Sequence, residues 1–381
     1  MAPRSIPQLS GLSRSKWIEV DLDAIEANLA NIRRILGQGV SIFACLKRNA
    51  MGCGTLPVAR RLEKAGVDGL ALGNAAEAAA IRGAGINLPI LLYPGVIPSD
   101  AAELGRLNLM PTISTVEEVE QWSQDRSTIL NVFMKIDAGG LRAGALPANA
   151  VGLAAAISSR QNLKLAGVYG HPMSGYGATD EVAFTKVQIS YFLKVLQELD
   201  AAGLLPPLKM LASSSILLNY PEADLNAVDP GRLLVGIGFN AVGERNCRWH
   251  PAVVGLKTSL VMKKSLKGAE ALHLQRLIPV REGMILGLIP FGYGDGYPRA
   301  VPHGASALIR GKSVRILGPV HSELLRVDLT DVPEAELGDE VVLMGRSGDL
   351  EISLEKLAVE WSMSVTDLLS GLRDHVPRVY I

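Results

Sequence analysis

Short runs of β-formers alternate with helical stretches through the first ~240 residues of this 381-residue chain, and no other feature narrows its fold so far. Residues 17–22 read as a strand, with Asp23 as the N-cap of a helix that runs through Leu36. Residues 40–46 (VSIFACL) form a strand of nearly continuous apolar side chains. Residues 55–65 form a helix with Leu56, Ala59, Leu62 and Ala65 on one face. Further strands are expected at 69–72, 89–93, 112–115, 129–136, 163–169, 208–211 and 233–237, with helices at 75–83 and 180–202. Continuous apolar strands separated by helices belong to a parallel sheet covered on both faces. Roughly eight such units predict an α/β fold of the (β/α)8 TIM-barrel type. A doubly wound open sheet is the rival, weakened because no GxGxxG follows the first strand.

After about residue 245 the texture changes. Glycine and β-formers dominate in VVGLKTSLVM, LHLQRLIPV, ALIRG, VRILGPV, LLRVDL and EVVLMG, which predicts a mostly β C-terminal domain. One helix is expected at 353–359 with Ser353 as its N-cap. The expected organisation is a disordered leader at 1–15, a barrel at 16–245 and a β-domain at 246–381.

Charge and composition exclude several functions. Lys+Arg and Asp+Glu both number 38, so the chain lacks the basic excess of a nucleic-acid binder and has little net charge to oppose self-association. Aromatics make up 5%, too few for a base-stacking surface. No apolar run of membrane-spanning length occurs, and residues 1–15 lack the apolar core of a secretory signal. Cys45, Cys53 and Cys247 are an odd, sparse set, which fits reduced thiols in the cytoplasm rather than a disulfide framework. No metal site is expected.

In a barrel, chemistry gathers where strands end. Lys47 follows VSIFACL, Arg142 follows the 129–136 strand and its glycine-rich turn, His171 follows LAGVYG, and Ser213–Ser215 follow LKML. Each alone has a plain explanation: a snorkelling lysine, a structural histidine, N-cap serines. Together they describe a nucleophilic amine able to form a Schiff base, beside hydroxyls and a Pro230–Gly231 turn able to hold an anion.

Around these residues the sequence resembles the alanine racemase family, pyridoxal-5′-phosphate (PLP) enzymes built from a barrel and a β-domain. LKRNAMGCG, which contains Lys47, is similar to the family's KANAYGHG. WIEVDLDAIEANL resembles its opening strand and helix, and KIDAGGLRAG its K-V/L-D-T-G-M-x-R-L/I-G loop. FGYGDGYPR resembles G-Y-A-D-G-Y/W-x-R, and VPRVY the family's C-terminal ending. The resemblance covers nearly the whole chain in order. It implies Lys47 as Schiff-base lysine and one acid/base group. Tyr293, from the partner subunit's β-domain, would be the other, on the opposite face of the substrate Cα, which makes the enzyme a homodimer with active sites at the interface. It further implies Arg142 at the substrate carboxylate or cofactor phenolate, supported by Lys135. His171 would lie against the ring, with Ser213, Ser214, Gly231 and the Arg232 backbone at the phosphate.

Some matched positions depart from the pattern. The family's V-R-P-G reads Val228-Asp229-Pro230-Gly231 here. An aspartate facing the pyridine nitrogen would keep it protonated and strengthen the ring as an electron sink; the other register lets Arg232 take the family arginine's place. The family tyrosine expected at Met51 is absent, and another aligns with Thr366, which keeps a shorter hydroxyl. Gly318-Pro319-Val320-His321-Ser322-Glu323 stands for G-R-V/I-x-M-D and puts Ser322 and Glu323 at the substrate wall. The expected activity is two-base racemisation or epimerisation of an amino acid other than, or beyond, alanine. The same scaffold leaves open a PLP-dependent aldolase, dehydratase, decarboxylase or aminotransferase, a PLP-binding protein without turnover, and a barrel with no cofactor.

Overall fold

In the computed structural model, which describes residues 15–125, 128–173, 180–238, 245–267 and 280–381, the chain divides into two compact units. One is Leu22–Ala252; the other joins the segment ending at Asp21 to Val253–Ile381. All of the expected leader at 1–15 except Ser15, and most of the expected strand LHLQRLIPV, lie outside the described residues; the Ser15 carbonyl accepts the Ser259 amide at 2.9 Å.

The first unit is the expected barrel. Its described strands are all parallel and run Ser41–Cys45, Gly69–Leu72, Ile90–Leu92, Leu109–Met110, Thr112–Ile113, Leu130–Lys135, Leu163–Tyr169, Leu208–Ala212 and Ala227–Val228. Leu109–Met110 and Thr112–Ile113 end opposite edges of the sheet. They are one strand interrupted at Pro111, which has no N–H to give the ladder. Its carbonyl instead accepts from the Phe133 amide at 2.9 Å, and the eight-strand circuit closes there.

Large side chains fill the interior by packing against missing ones. Phe43 lies where a Cβ on Gly69 would stand, and Phe133 does the same at Gly167. The Phe43–Phe133, Phe133–Tyr169 and Tyr93–Tyr169 rings meet edge to face at 6.1, 6.3 and 5.9 Å. This ladder rises from purely apolar rings to phenols, so the interior becomes polar toward the strands' carboxyl ends.

Three expectations need correction. Residues 233–237 are not a strand: Leu234 N–H bonds to Gly231 O and Gly236 N–H to Leu233 O, a run of turns, and the Asn28 side-chain amide donates to Leu234 O at 3.1 Å. A short apolar run cannot by itself distinguish a buried strand from buried turns; the last barrel strand is Ala227–Val228. Asp23 lies inside the first turn of helix Leu22–Leu36 rather than capping it. And strand Lys16–Val20, expected within the barrel span, pairs antiparallel with Val253–Ser259 and parallel with Arg378–Tyr380, so it is part of the β unit.

That unit orders its strands Met262–Ser265, Ile285–Ile289, Leu325–Asp328, Lys312–Leu317, Ser306–Ile309, Glu340–Ser347, Val253–Ser259, Lys16–Val20, Arg378–Tyr380. Helix Leu354–Glu360 starts where expected, with Ser353 Oγ accepting the Lys356 amide at 3.2 Å. Among the described residues, no helix is long and apolar enough to cross a membrane.

Candidate active site

The barrel's polar cluster begins two residues past a strand end. Ser41–Cys45 runs out at Leu46, and Lys47 is followed by Arg48, Asn49, Ala50 and Met51, all at φ between +50° and +58°. Four consecutive non-glycine residues in the left-handed region cost about 1 kcal/mol or more each. The turn is closed by Ala50 N–H to Leu46 O, Gly52 N–H to Arg48 O and Gly54 N–H to Asn49 O. Asn49 Oδ1 accepts the Thr55 amide at 2.8 Å and ties the turn to the next helix. This backbone holds the half-buried Lys47 with its Nζ 4.0 Å from the Tyr93 ring centroid.

Tyr93 immediately follows strand Ile90–Leu92, and its hydroxyl donates to Asp229 Oδ2 at 2.6 Å. Asp229 immediately follows strand Ala227–Val228 and is 4% exposed; its Oδ1 is buried without a hydrogen-bond partner. Burial pushes the Asp229 carboxyl up to about 6, against the Tyr93 hydrogen bond and the charges of Lys47 and Lys135. Burial likewise raises Tyr93 and the Cys45 thiol, so both are neutral near pH 7.

Cations gather around this carboxylate. Burial and the Arg142 and Lys47 charges pull Lys135 down to about 8; its Nζ is 5.6 Å from the Tyr169 ring. Burial, then Lys47, Arg142, Lys135 and Arg232, hold His171 at about 3, a neutral imidazole at physiological pH. Arg142 itself is exposed. Its loop is shaped by Asp137, which accepts the Gly139, Gly140 and Arg142 amides at 3.1, 2.7 and 2.6 Å. Ser213 is the N-cap residue of helix Ser214–Asn219, with no side-chain cap bond. Ser214 Oγ accepts the Gly231 amide at 3.1 Å and the Leu233 amide at 3.3 Å. A Cβ at Gly231 would stand 2.7 Å from Met51 Cε and 3.2 Å from Cys45 Cβ, so glycine lets these segments approach without displacing either side chain.

The β unit carries a second cluster. Tyr293 and Gly294 donate their amides to His321 O and Ser322 O at 3.1 and 2.8 Å, which brings Tyr293 beside the exposed turn of Ser322 and Glu323. Gly292 permits the approach: a Cβ there would lie 2.2 Å from His321 O. The Arg299 guanidinium lies 4.6 Å over the Tyr293 ring. Thr366 sits half-buried on helix Val365–Gly371, whose last carbonyl abuts Gly296 (φ +117°) of the Tyr293 loop.

Two residues that the sequence did not single out organise these clusters. Tyr93 could have been found by the strand-end rule that found Lys47. Asp295 lies within FGYGDGYPR and is fully buried. It accepts Lys16 Nζ at 2.6 Å, His375 Nε2 at 2.8 Å and the Gly292 amide at 2.9 Å. Replacing it by alanine strands the half-buried Lys16 ammonium, so Asp295→Ala should lower stability by about 3 kcal/mol. Urea denaturation checks this; a change under about 0.5 kcal/mol, typical of an unimportant surface site, would remove Asp295 as the loop's anchor.

Comparison with known proteins gives one family throughout. The family model for the alanine racemase N-terminal domain matches residues 20–238, and that for the alanine racemase C-terminal domain matches 253–380. The alanine racemase of Halothermothrix orenii is 29% identical over 374 residues, 97% of either chain. That of Thermodesulfovibrio yellowstonii is 30% identical over 377 residues, 97% of this chain and 99% of its own. Among solved structures, alanine racemase from Bacillus anthracis, with bound L-Ala-P, superposes with a TM-score of 0.86 at 27% identity. It covers 98% of this chain and 96% of that one.

Proposed function

This chain belongs to the alanine racemase family, and from that premise we propose that it is a PLP-dependent amino-acid racemase working as a homodimer in the cytoplasm. The observation that carries the reading is the cluster of Lys47, Tyr93 and Asp229 at the carboxyl ends of barrel strands, in a chain matched by both domain models. The relatives' name favours racemisation over the aldolase, dehydratase, decarboxylase and aminotransferase alternatives, and over a carrier without turnover. Cys45 and Cys53 are buried and neither forms a disulfide, which fits a reducing compartment.

The barrel's residues fit PLP. Asp229 Oδ1 is a buried acceptor with nothing donating to it, as a ring N–H requires. Lys135, Arg142 and Arg232 supply positive charge for a phosphate ester and a carboxylate. Ser214 Oγ, already accepting two amides, keeps its hydroxyl hydrogen to donate to a phosphate oxygen, with Ser213, Gly231 and Arg232 of the same unit as further groups for that role. When bound, PLP carries the amino acid's amine and draws the electron pair from Cα.

The chain's own groups then move the proton. Lys47 Nζ takes or returns it on one face of Cα, and the Tyr293 hydroxyl serves the other face. Arg142 holds the substrate carboxylate, so that Cα is presented in one orientation. Neutral His171 packs on the ring without adding charge. Ser322 and Glu323, beside Tyr293, border the side-chain pocket and set which amino acids enter.

The reading is tested with L- and D-amino acids, PLP and the purified protein in D2O. Both enantiomers should appear from either one, with deuterium at Cα. Keto acid, aldehyde, ammonia or CO2 without the opposite enantiomer would overturn it. Tyr293→Phe should cut racemisation by about 100-fold or more while PLP binding persists. Because the site is shared between subunits, mixing inactive Lys47→Ala and Tyr293→Phe chains should restore about a quarter of wild-type activity, from hybrid dimers with one intact site. No recovery after subunit exchange would place Tyr293 in its own subunit's site.

A further inference from the structure

We propose that Tyr93 is the positioning residue for Asp229. Its hydroxyl occupies one carboxylate oxygen so that the other faces a bound pyridine ring as an anion, and its ring spaces that acceptor from the Lys47 amine. This rests on the PLP reading above and deepens it.

Tyr93 is held on several sides. Its amide donates to Leu72 O at 2.8 Å, and its ring meets the Tyr169 ring edge to face at 5.9 Å. Tyr169 is itself fastened through a 3.0 Å hydrogen bond between its hydroxyl and Thr112 Oγ1. The phenol therefore reaches Asp229 from a rigid wall. Lys47 Nζ stands over the same ring, so one side chain separates the carboxylate from the amine.

The groups that face Asp229 are Cys45, Lys47, Tyr93, Lys135 and Tyr169. Cys45 and Tyr169 are neutral at physiological pH because burial raises both. The lysines favour the anion through space, and Tyr93 supplies the side-chain hydrogen bond. Without that hydroxyl the carboxylate keeps its desolvation and loses a donor, so it becomes the stronger base. With PLP held there, a proton shared between the ring nitrogen and Asp229 would move toward the carboxylate, and the ring would lose its positive charge. The pair thus decides how strongly the bound ring draws electrons.

The test uses full-length protein loaded with PLP labelled with 15N at the ring nitrogen, as wild type, Tyr93→Phe and Asp229→Asn. Nitrogen NMR reports ring protonation, and 13C NMR of carboxyl-labelled aspartate in the cofactor-free chains reports the Asp229 titration. Wild type should show a protonated ring. Tyr93→Phe should shift the resonance toward the unprotonated form and raise the Asp229 midpoint, changing its proton affinity by about tenfold or more. With cofactor still bound, kcat should fall about 10- to 100-fold and KM should move by less than about threefold. A structural role alone would not move the nitrogen resonance. Unchanged resonance and midpoint in Tyr93→Phe, or an unprotonated ring in wild type, overturns the proposal. If Tyr93→Phe fails to fold, Asp229→Asn still tests the premise: a wild-type resonance there shows that Asp229 is not the ring's acceptor and overturns the proposal. If wild type binds no PLP, the functional reading fails as well, whereas bound PLP with an unprotonated ring defeats this inference alone.

Discussion

Lys47→Ala is expected to lower racemisation by about 10⁴-fold or more and to abolish both the yellow colour of the PLP-loaded protein and borohydride trapping of the cofactor. Lys47 is half-buried and outside the apolar ladder, so the loss should not come from unfolding, and circular dichroism and thermal melting should stay near wild type. The variant also has an internal control. Lys135 is the other lysine of the cluster, and burial with Arg142 and Lys47 holds it near 8, so an appreciable fraction is neutral amine at pH 7. Mapping of the borohydride-reduced peptide distinguishes the two. Label at residue 47 in wild type and none in Lys47→Ala supports the assignment, and label at residue 135 in wild type would end it.

Asp229→Asn should separate function from stability. Folding lifts this carboxyl from 3.8 to about 6 because burial disfavours its charge. A folded value above the unfolded one means the folded state binds the proton more tightly. Below pH 3.8 both states are protonated and the two proteins should be equally stable. Between pH 3.8 and about 6 the unfolded chain releases its proton first, so wild type loses stability as pH rises. Above that window the variant should lead by about 3 kcal/mol without cofactor, while its turnover falls steeply with PLP bound. Adding PLP should narrow the gap, because a ring N–H supplies the partner that Oδ1 lacks. Urea denaturation from pH 4 to 8 measures it. A variant less stable than wild type at pH 8 would mean that Asp229 is not a desolvated anion.

The sequence pointed to these residues unequally. Lys47, His171 and Ser213–Ser215 were legible because each follows an apolar strand, and the carboxyl ends of barrel strands lie on one rim. Asp229 stood out as an acidic residue where the family pattern has a basic one. Tyr93 occupies the same kind of position, yet a tyrosine after ILL reads as one more apolar residue until its hydroxyl is seen on Asp229. Asp295 was hidden in a glycine-rich motif, and its partners lie 279 and 80 residues away at Lys16 and His375. Ser214 was expected at a phosphate, and the structure adds that its oxygen already organises the Gly231 turn.

What the sequence determined by itself was local or periodic: the strand–helix rhythm, the change of texture after about residue 245, and the motifs that lead to the family. These follow from the apolar periodicity of helices and strands and from turn chemistry, which act over a few residues. The tertiary structure decided what depends on distant partners. Strand Lys16–Val20 joins the β unit because its hydrogen-bonding edges meet Val253–Ser259 and Arg378–Tyr380. Residues 233–237 are turns because Asn28 and the chain's own amides take up their backbone groups. Asp229 is an under-satisfied, desolvated carboxylate because the closed barrel excludes water and brings Tyr93, 136 residues away, within hydrogen-bond reach. Charge state depends on three-dimensional surroundings, since desolvation and Coulomb interactions fall off with distance in space and not along the chain.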